Sequence, residues 1–271
     1  MSMFAELPWI WLGVAAYAAA TLLAVFGAAR GQRRERTVAA LLLVGVTLFA
    51  VAIGVRWERV GHGPFISMFE ILASNLFSLG LVFGVAYWRL PVVRPSAVVV
   101  LPVLLLLGAW IVAVKPVDSF LPPSFETPVL WFHLVLGKLF LGTCLVGVGV
   151  GGVILLRRTR CAAWFAGMPD DGTLDMLAWR VMLVSLIFES LMLVAGAVWA
   201  QDAWGRYWAW DPLETWAFMT WLTLAFSMHA RIGYRIPPWG GALMIWLVFV
   251  LAFLTFLGVP FLSAAPHKGV V

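Results

Sequence analysis

The chain has 271 residues, 63% hydrophobic and only 11% charged, and its mean hydropathy is +0.99. Soluble domains are roughly 45–50% apolar and about 25% charged, so the composition excludes a soluble globular fold and indicates a membrane protein. A formal net charge of +5 raises the question of a nucleic-acid surface, which the placement of the charges answers below.

The N-terminal run MSMFAELPWIWLGVAAYAAATLLAVFG has an acid ahead of its apolar stretch and no basic n-region, so it reads as a retained first span. A bilayer core about 30 Å thick needs about 20 apolar residues per helical crossing. Eight stretches qualify: approximately 8–28, 38–57, 67–88, 96–114, 128–156, 177–200, 213–231 and 239–261. Runs this long satisfy their backbone in lipid only as helices. The expected fold class is therefore all-α: a polytopic transmembrane bundle of about eight spans, residues 1–271 forming a single membrane domain. The longest connection, about 157–176, is too short for a soluble domain. Gly147-xxx-Gly151 in span five is a small-xxx-small pattern that predicts close helix packing.

Of the 18 Lys and Arg, twelve cluster on one side: Arg30, Arg33, Arg34, Arg36, Arg89, Arg94, Arg157, Arg158, Arg160, Arg180, Arg231 and Arg235. The other side holds Arg56, Arg59, Lys115, Arg206 and Lys268, and Lys138 lies inside span five. Positive loops stay cytoplasmic, which places both termini on the outer, periplasmic side. The net charge is thus a topology signal, and no nucleic-acid partner is expected. Glu70 and Glu189 fall within spans and need protein, water or a partner such as Lys138 to meet their charge.

Orientation gives meaning to the most unusual segment, WGRYWAWDPLETWAF at 204–218. With its flank it places Trp199, Trp204, Tyr207, Trp208, Trp210 and Trp216 within eighteen residues, around a loop 201–212 on the outer side. An interfacial aromatic belt would spread over many helix ends and needs no fixed spacing. This concentration instead suits a planar apolar macrocycle, with Arg206 and indole N–H groups placed for its carboxylates. Asp211-Pro212-Leu213-Glu214 predicts an N-cap, a first-turn proline and a capping box, so these acids are expected to start span seven rather than do acid–base chemistry.

These residues carry a resemblance. The segment is similar to the tryptophan-rich WWD signature of haem-handling proteins, and its wording is nearest to the CcsA (ResC) family of System II cytochrome c biogenesis. PVLWFHLVLGKLFLG resembles the family segment with its first external haem-ligand His, here His133. TWLTLAFSMHARIGYR resembles the segment with the intramembrane His, here His229, and His267 stands in the place of the second external His. GHGPFISMFE matches a further motif at Gly61, His62, Pro64 and Glu70, with Ile66-Ser67 in place of Ser-Asn and Phe69 in place of Tyr. The resemblance covers roughly 56–271.

It implies haem export and attachment to apocytochrome c. Haem b is bound as substrate, with His133 and His267 as outer axial ligands and His229 as ligand of an inner site. The haem-contacting loop is Trp204, Gly205, Arg206, Tyr207, Trp208, Trp210, Asp211 and Glu214, with His62 and Glu70 as secondary candidates. With no CxxCH the chain carries no covalent haem, and with no CxxC it supplies no thiol pair. His229 lies eighteen residues beyond Asp211, about 27 Å along a helix, so one haem cannot span both. No second inner His exists in the sequence, so a partner subunit of the CcsB (ResB) type is implied. Other expected partners are membrane lipid and apocytochrome c with its CxxCH. Synthase activity is implied for the complex, in the cell's inner (plasma) membrane. A membrane b-type cytochrome and a transporter of another amphipathic solute are the alternatives.

Overall fold

A computed structural model describes residues 4–259. Eight long helices follow in order: α1 (Leu7–Ala29), α2 (Glu35–Val60), α3 (Met68–Arg89), α4 (Ala97–Ala113), α5 (Pro128–Leu156), α6 (Asp171–Trp204), α7 (Pro212–Gly233) and α8 (Pro238–Phe253). The described residues contain no strand, so the all-helical expectation holds. Seven of the helical segments are long and apolar enough to cross a membrane. The eighth, α7, is interrupted by Glu214, Thr220, Thr223, Ser227, His229 and Arg231, which lower its apolar content without shortening it.

Two boundaries differ from the sequence expectation. α6 begins at Asp171 and runs to Trp204, several residues beyond 177–200 at both ends. Its first turns, DGTLDMLAWR, are too polar to register as a span yet continue the same helix. The last four-residue stretch of α6, Gln201–Trp204, is helical, so the aromatic loop proper is only 205–211. At the far end α8 passes into a π-helical turn, Leu254–Gly258.

The chain forms two compact units: residues 1–120 with 152–170, and residues 121–151 with 171–271. In the first, α1 packs on α2 and α4, and α3 packs on α2 and α4. Tyr17 sits at the centre, wholly buried, its hydroxyl donating to the Leu76 carbonyl at 3.0 Å. Gly80 and Gly45 admit its ring: a Cβ at Gly80 would stand 1.9 Å from the Tyr17 oxygen.

One end of this unit is closed by charge. Arg56, 2% exposed, donates to Glu6 at 2.9 Å, to Glu70 at 2.9 Å and to the Val117 carbonyl at 2.6 Å. Glu70 is the third residue of α3, at the helix start, and Arg56 rather than Lys138 is its partner. Its other oxygen accepts the backbone N–H groups of Ile66 and Ser67 at 3.0 and 3.1 Å, while the Ser67 hydroxyl accepts the Glu70 N–H at 3.3 Å. This is a capping box that the sequence reading passed over. Arg59 grips Asp118 with two nitrogens at 2.9 Å each and reaches Glu6 at 2.8 Å. The Arg59 hydrogen bond holds the Asp118 carboxyl below its usual range. This pair therefore contributes above that range and is lost as pH falls through the lowered value.

In the second unit α6, α7 and α8 pack on one another, and α5 meets α6 and α8 through its glycines. A Cβ at Gly147 would lie 2.7 Å from the Met182 sulfur, and one at Gly151 3.4 Å from the Ala242 Cβ. The small-xxx-small stripe is thus a packing surface.

Removing Arg56 would leave Glu6 and Glu70 buried without their cation. Arg56→Met is expected to destabilise the first unit by about 3–5 kcal/mol, read as a lowered unfolding midpoint in detergent. Adding Glu70→Gln to Arg56→Met recovers part of that loss if the ion pair is its cause.

Candidate functional site

His133 lies in the second turn of α5, half-buried. Its Nδ1 is 2.8 Å from the Met192 carbonyl of α6. A carbonyl only accepts, so Nδ1 carries the proton and the lone pair is on Nε2, the tautomer suited to binding a metal. The ring fits because residue 196 is glycine: a Cβ there would stand 2.9 Å from both Cε1 and Nδ1 of His133. The imidazole stacks on Trp199 at 6.4 Å and 21°. Trp199 is fixed in turn by its N–H to the Ser124 carbonyl at 3.1 Å and by edge contacts to Phe125 and Trp204 at 5.1 and 4.8 Å. Met192, Gly196 and Trp199 recur at spacings of four and three, so one stripe of α6 builds this pocket wall.

The opposite stripe of α6 carries Ser190, Leu193, Val194 and Ala197, about half a turn away at about 100° per residue. With Trp208, Trp210, Phe218 and Trp221 these residues line a groove of about 490 Å³, within the usual size range of small-molecule sites. Its wall is a run of rings. Trp208 meets Trp210 at 5.7 Å, both meet Phe218 at 6.1 Å, and Phe218 stacks on Trp221 at 6.0 Å and 8°. Trp221 donates to the Ser190 hydroxyl at 2.9 Å. Among the described residues the buried Trp208 N–H has no hydrogen-bond partner, a donor left over for a ligand.

The loop that presents these tryptophans is held from both sides. Gly205 ends α6 at φ 73°, a left-handed conformation that suits glycine. Asp211 accepts the Glu214 N–H at 2.9 Å, and Glu214 accepts the N–H groups of Ala209 at 2.7 Å and Asp211 at 3.4 Å. The expected capping box at the start of α7 is therefore present. Between these ends Trp210 takes φ 58°, rare for a bulky residue, and is 67% exposed. Arg206 and Tyr207 are also exposed.

The remaining candidates fall elsewhere. His229 is exposed on α7, its Nδ1 2.9 Å from the Ala225 carbonyl, so it too carries its lone pair on Nε2. Asp211 and His229 occupy opposite ends of one continuous helix. His267 lies outside the described residues. His62, in the first unit, is buried with Nδ1 2.9 Å from the Gly63 carbonyl and Nε2 2.8 Å from the Ser119 carbonyl. Both its nitrogens thus face protein acceptors, and its neighbour Glu70 is bound into the Arg56 cluster and accepts the Ser119 hydroxyl at 2.9 Å. Glu189 is buried on α6 with neither carboxylate oxygen hydrogen-bonded. Among the described residues no three His, Cys, Asp or Glu converge as a metal cluster.

Sequence reasoning did not single out Gly196, Ser190, Phe218 or Trp221. The spacing 218, 221, 225, 229 was available in the sequence: it places Phe218, Trp221, Ala225 and His229 on one stripe of α7.

Eight long helices, seven of them in segments long and apolar enough to cross a membrane, define a multi-pass helical membrane protein. The family described as cytochrome C assembly protein matches residues 38–267. The cytochrome c biogenesis protein CcsA of Chlamydomonas reinhardtii is 28% identical over 246 residues, covering 84% of this chain and 67% of that protein. CcsA of Prochlorococcus marinus strain MIT 9312 is 30% identical over 246 residues, 79% of this chain and 78% of its own. The solved structure of cytochrome c heme lyase CcmF shares the fold, with a TM-score of 0.71 at 19% identity over 93% of this chain. This chain spans 46% of that longer one. The protein belongs to the cytochrome c assembly family, among its CcsA members, and its work lies in cytochrome c biogenesis.

The capping box supplies a test of the loop. Asp211→Ala removes the side-chain cap and is expected to cost about 0.5–2 kcal/mol, with raised proteolytic cutting within 205–211. If Asp211→Ala is cut at the parent's rate, the box does not hold the loop.

Proposed function

We propose that the chain carries haem across the membrane and holds it at the outer face for attachment to apocytochrome c. The observation that carries this reading is the preset His133: Nδ1 engaged by the Met192 carbonyl, ring space opened by Gly196, and Trp199 stacked alongside. An imidazole so held keeps one orientation and one tautomer, which is what an axial ligand needs.

In this reading His133 and His267 hold the outer haem beside Trp199 and Trp204, and the loop residues Gly205 to Trp210 contact it on its way along the groove on the other stripe of α6. Exposed Arg206 pairs with a propionate, and the unpartnered Trp208 N–H serves as a further donor. Asp211 and Glu214 act by fixing the loop. His229 receives haem at the inner end of α7, its second ligand coming from a CcsB-type subunit. Phe218 and Trp221 of the groove share one stripe of α7 with Ala225 and His229, a face along which a planar substrate would pass between the two ends. The apocytochrome brings its own thiols in CxxCH. The chain's contribution to thioether formation is to position haem b, bound as substrate, against them. The asymmetry of Lys and Arg supports a plasma-membrane topology with both termini and the aromatic loop on the periplasmic side.

Holocytochrome c yield in cells that express the chain with its partner tests this reading. His133→Ala removes one of the two outer ligands and is expected to lower the yield. Gly196→Leu, which fills the space beside the ring, is expected to lower yield by about 10- to 100-fold, the usual range for losing support of a metal ligand. Parental yield from both variants at parental membrane levels would refute the outer site.

A further inference from the structure

We propose that the arginine-rich end of the first unit is a binding site for the headgroup of an anionic phospholipid. The α1–α2 turn, the start of α2 and the end of α3 enclose a cavity of about 730 Å³. Arg33, Arg34, Arg36 and Arg94 line it, against the single carboxylate of Glu35. That carboxylate is committed: it accepts from Arg94 at 2.9 Å. Tyr87 and Arg94 lock the same corner, the Tyr87 hydroxyl donating to the Glu35 carbonyl at 3.1 Å and Arg94 to the Tyr87 carbonyl at 3.2 Å. Arg33 donates to the Trp164 carbonyl, a neutral acceptor that leaves its charge uncompensated. Three guanidinium charges therefore remain without a counter-anion in the cavity wall.

A second, independent feature points to an anion. α2 begins after Arg34 with no side-chain cap, and Glu35, Arg36 and Thr37, its first turn, line the same cavity. The positive end of a 26-residue helix thus opens there. Guanidinium groups and first-turn N–H groups together are phosphate chemistry.

The surroundings select a lipid over a free phosphate. Trp88, 68% exposed with the Arg89 guanidinium 4.7 Å above its ring, lies on the cavity rim as an interfacial aromatic. A narrow crevice adjoins the cavity and shares its arginines, and its walls are Leu23, Ala24, Val38, Ala97 and Val98. These apolar walls continue the site into a surface that an acyl chain can lie against. The site belongs to the face whose excess of Arg assigns it to the cytoplasmic leaflet, where anionic lipids attract basic pockets.

The test is retention of phosphatidylglycerol by the full chain with its partner, released from phosphatidylcholine nanodiscs doped with phosphatidylglycerol and read by native mass spectrometry. Arg34→Gln/Arg36→Gln removes two exposed cations that make no internal ion pair in the cavity. At roughly a few-fold per cation near a membrane surface, affinity is expected to fall about tenfold or more. Arg160→Gln/Arg235→Gln, which removes the same charge elsewhere, is expected to keep parental retention. Ala39→Glu sets a carboxylate in the cavity with every arginine intact and must weaken retention as well, which decides the matter if the double variant does not fold. Unchanged retention in the cavity variants, an equal loss in the control pair, or full displacement by inorganic phosphate at matched free concentration overturns the proposal.

Discussion

Two helices in this protein start in the same way, and in each unit the loop that leads into the helix hangs on that device. At α3 and at α7 a short polar residue caps the helix while the Glu three positions on turns back to hold the preceding backbone: Ser67 with Glu70, and Asp211 with Glu214. Each Glu also accepts an N–H from further upstream, Ile66 in one case and Ala209 in the other. A loop at a membrane surface has unpaired backbone donors and no lattice of its own. One carboxylate per loop answers both needs. In the first unit it joins the Arg56 cluster, and in the second it carries the tryptophans.

Around the second box, α6 works as a partition. Its Met192, Gly196 and Trp199 stripe faces His133, and its Ser190, Leu193, Val194 and Ala197 stripe faces the aromatic groove. The WWD-type segment is thereby divided: Trp204 stands with Trp199 on the His133 side, while Trp208 and Trp210 line the groove. For the proposed function this separates the place where iron is held from the surface along which a flat substrate moves. α7 then links that surface to His229 at its other end.

Helix number, span positions and the capping box at Asp211 were legible in the sequence, because hydropathy and first-turn chemistry are local. The early start of α6 was not, since DGTLDMLAWR lacks the apolar excess that marks a span. Glu70 reads as a carboxylate within a span that needs a partner, and its true setting depends on Arg56, Ser119 and Val117 being brought together by tertiary packing. His62 reads as a secondary candidate from its motif, with a structural role as an equal alternative, and only the fold shows that both its nitrogens face carbonyls. For His133 the residue and its neighbours were legible. The glycine that makes room for it lies 63 positions away on another helix, and only a close approach between helices gives that glycine meaning.

The central claim is that haem is held at two separate places, one governed by His133 on α5 and the other by His229 near the end of α7. The most direct measurement is the haem content and absorption spectrum of the chain purified with the proposed CcsB-type partner, as parent, His133→Ala and His229→Ala. Two haem populations in the parent, each variant losing a different one and keeping the other, is the result the account predicts. A single population, or the same loss in both variants, would contradict it.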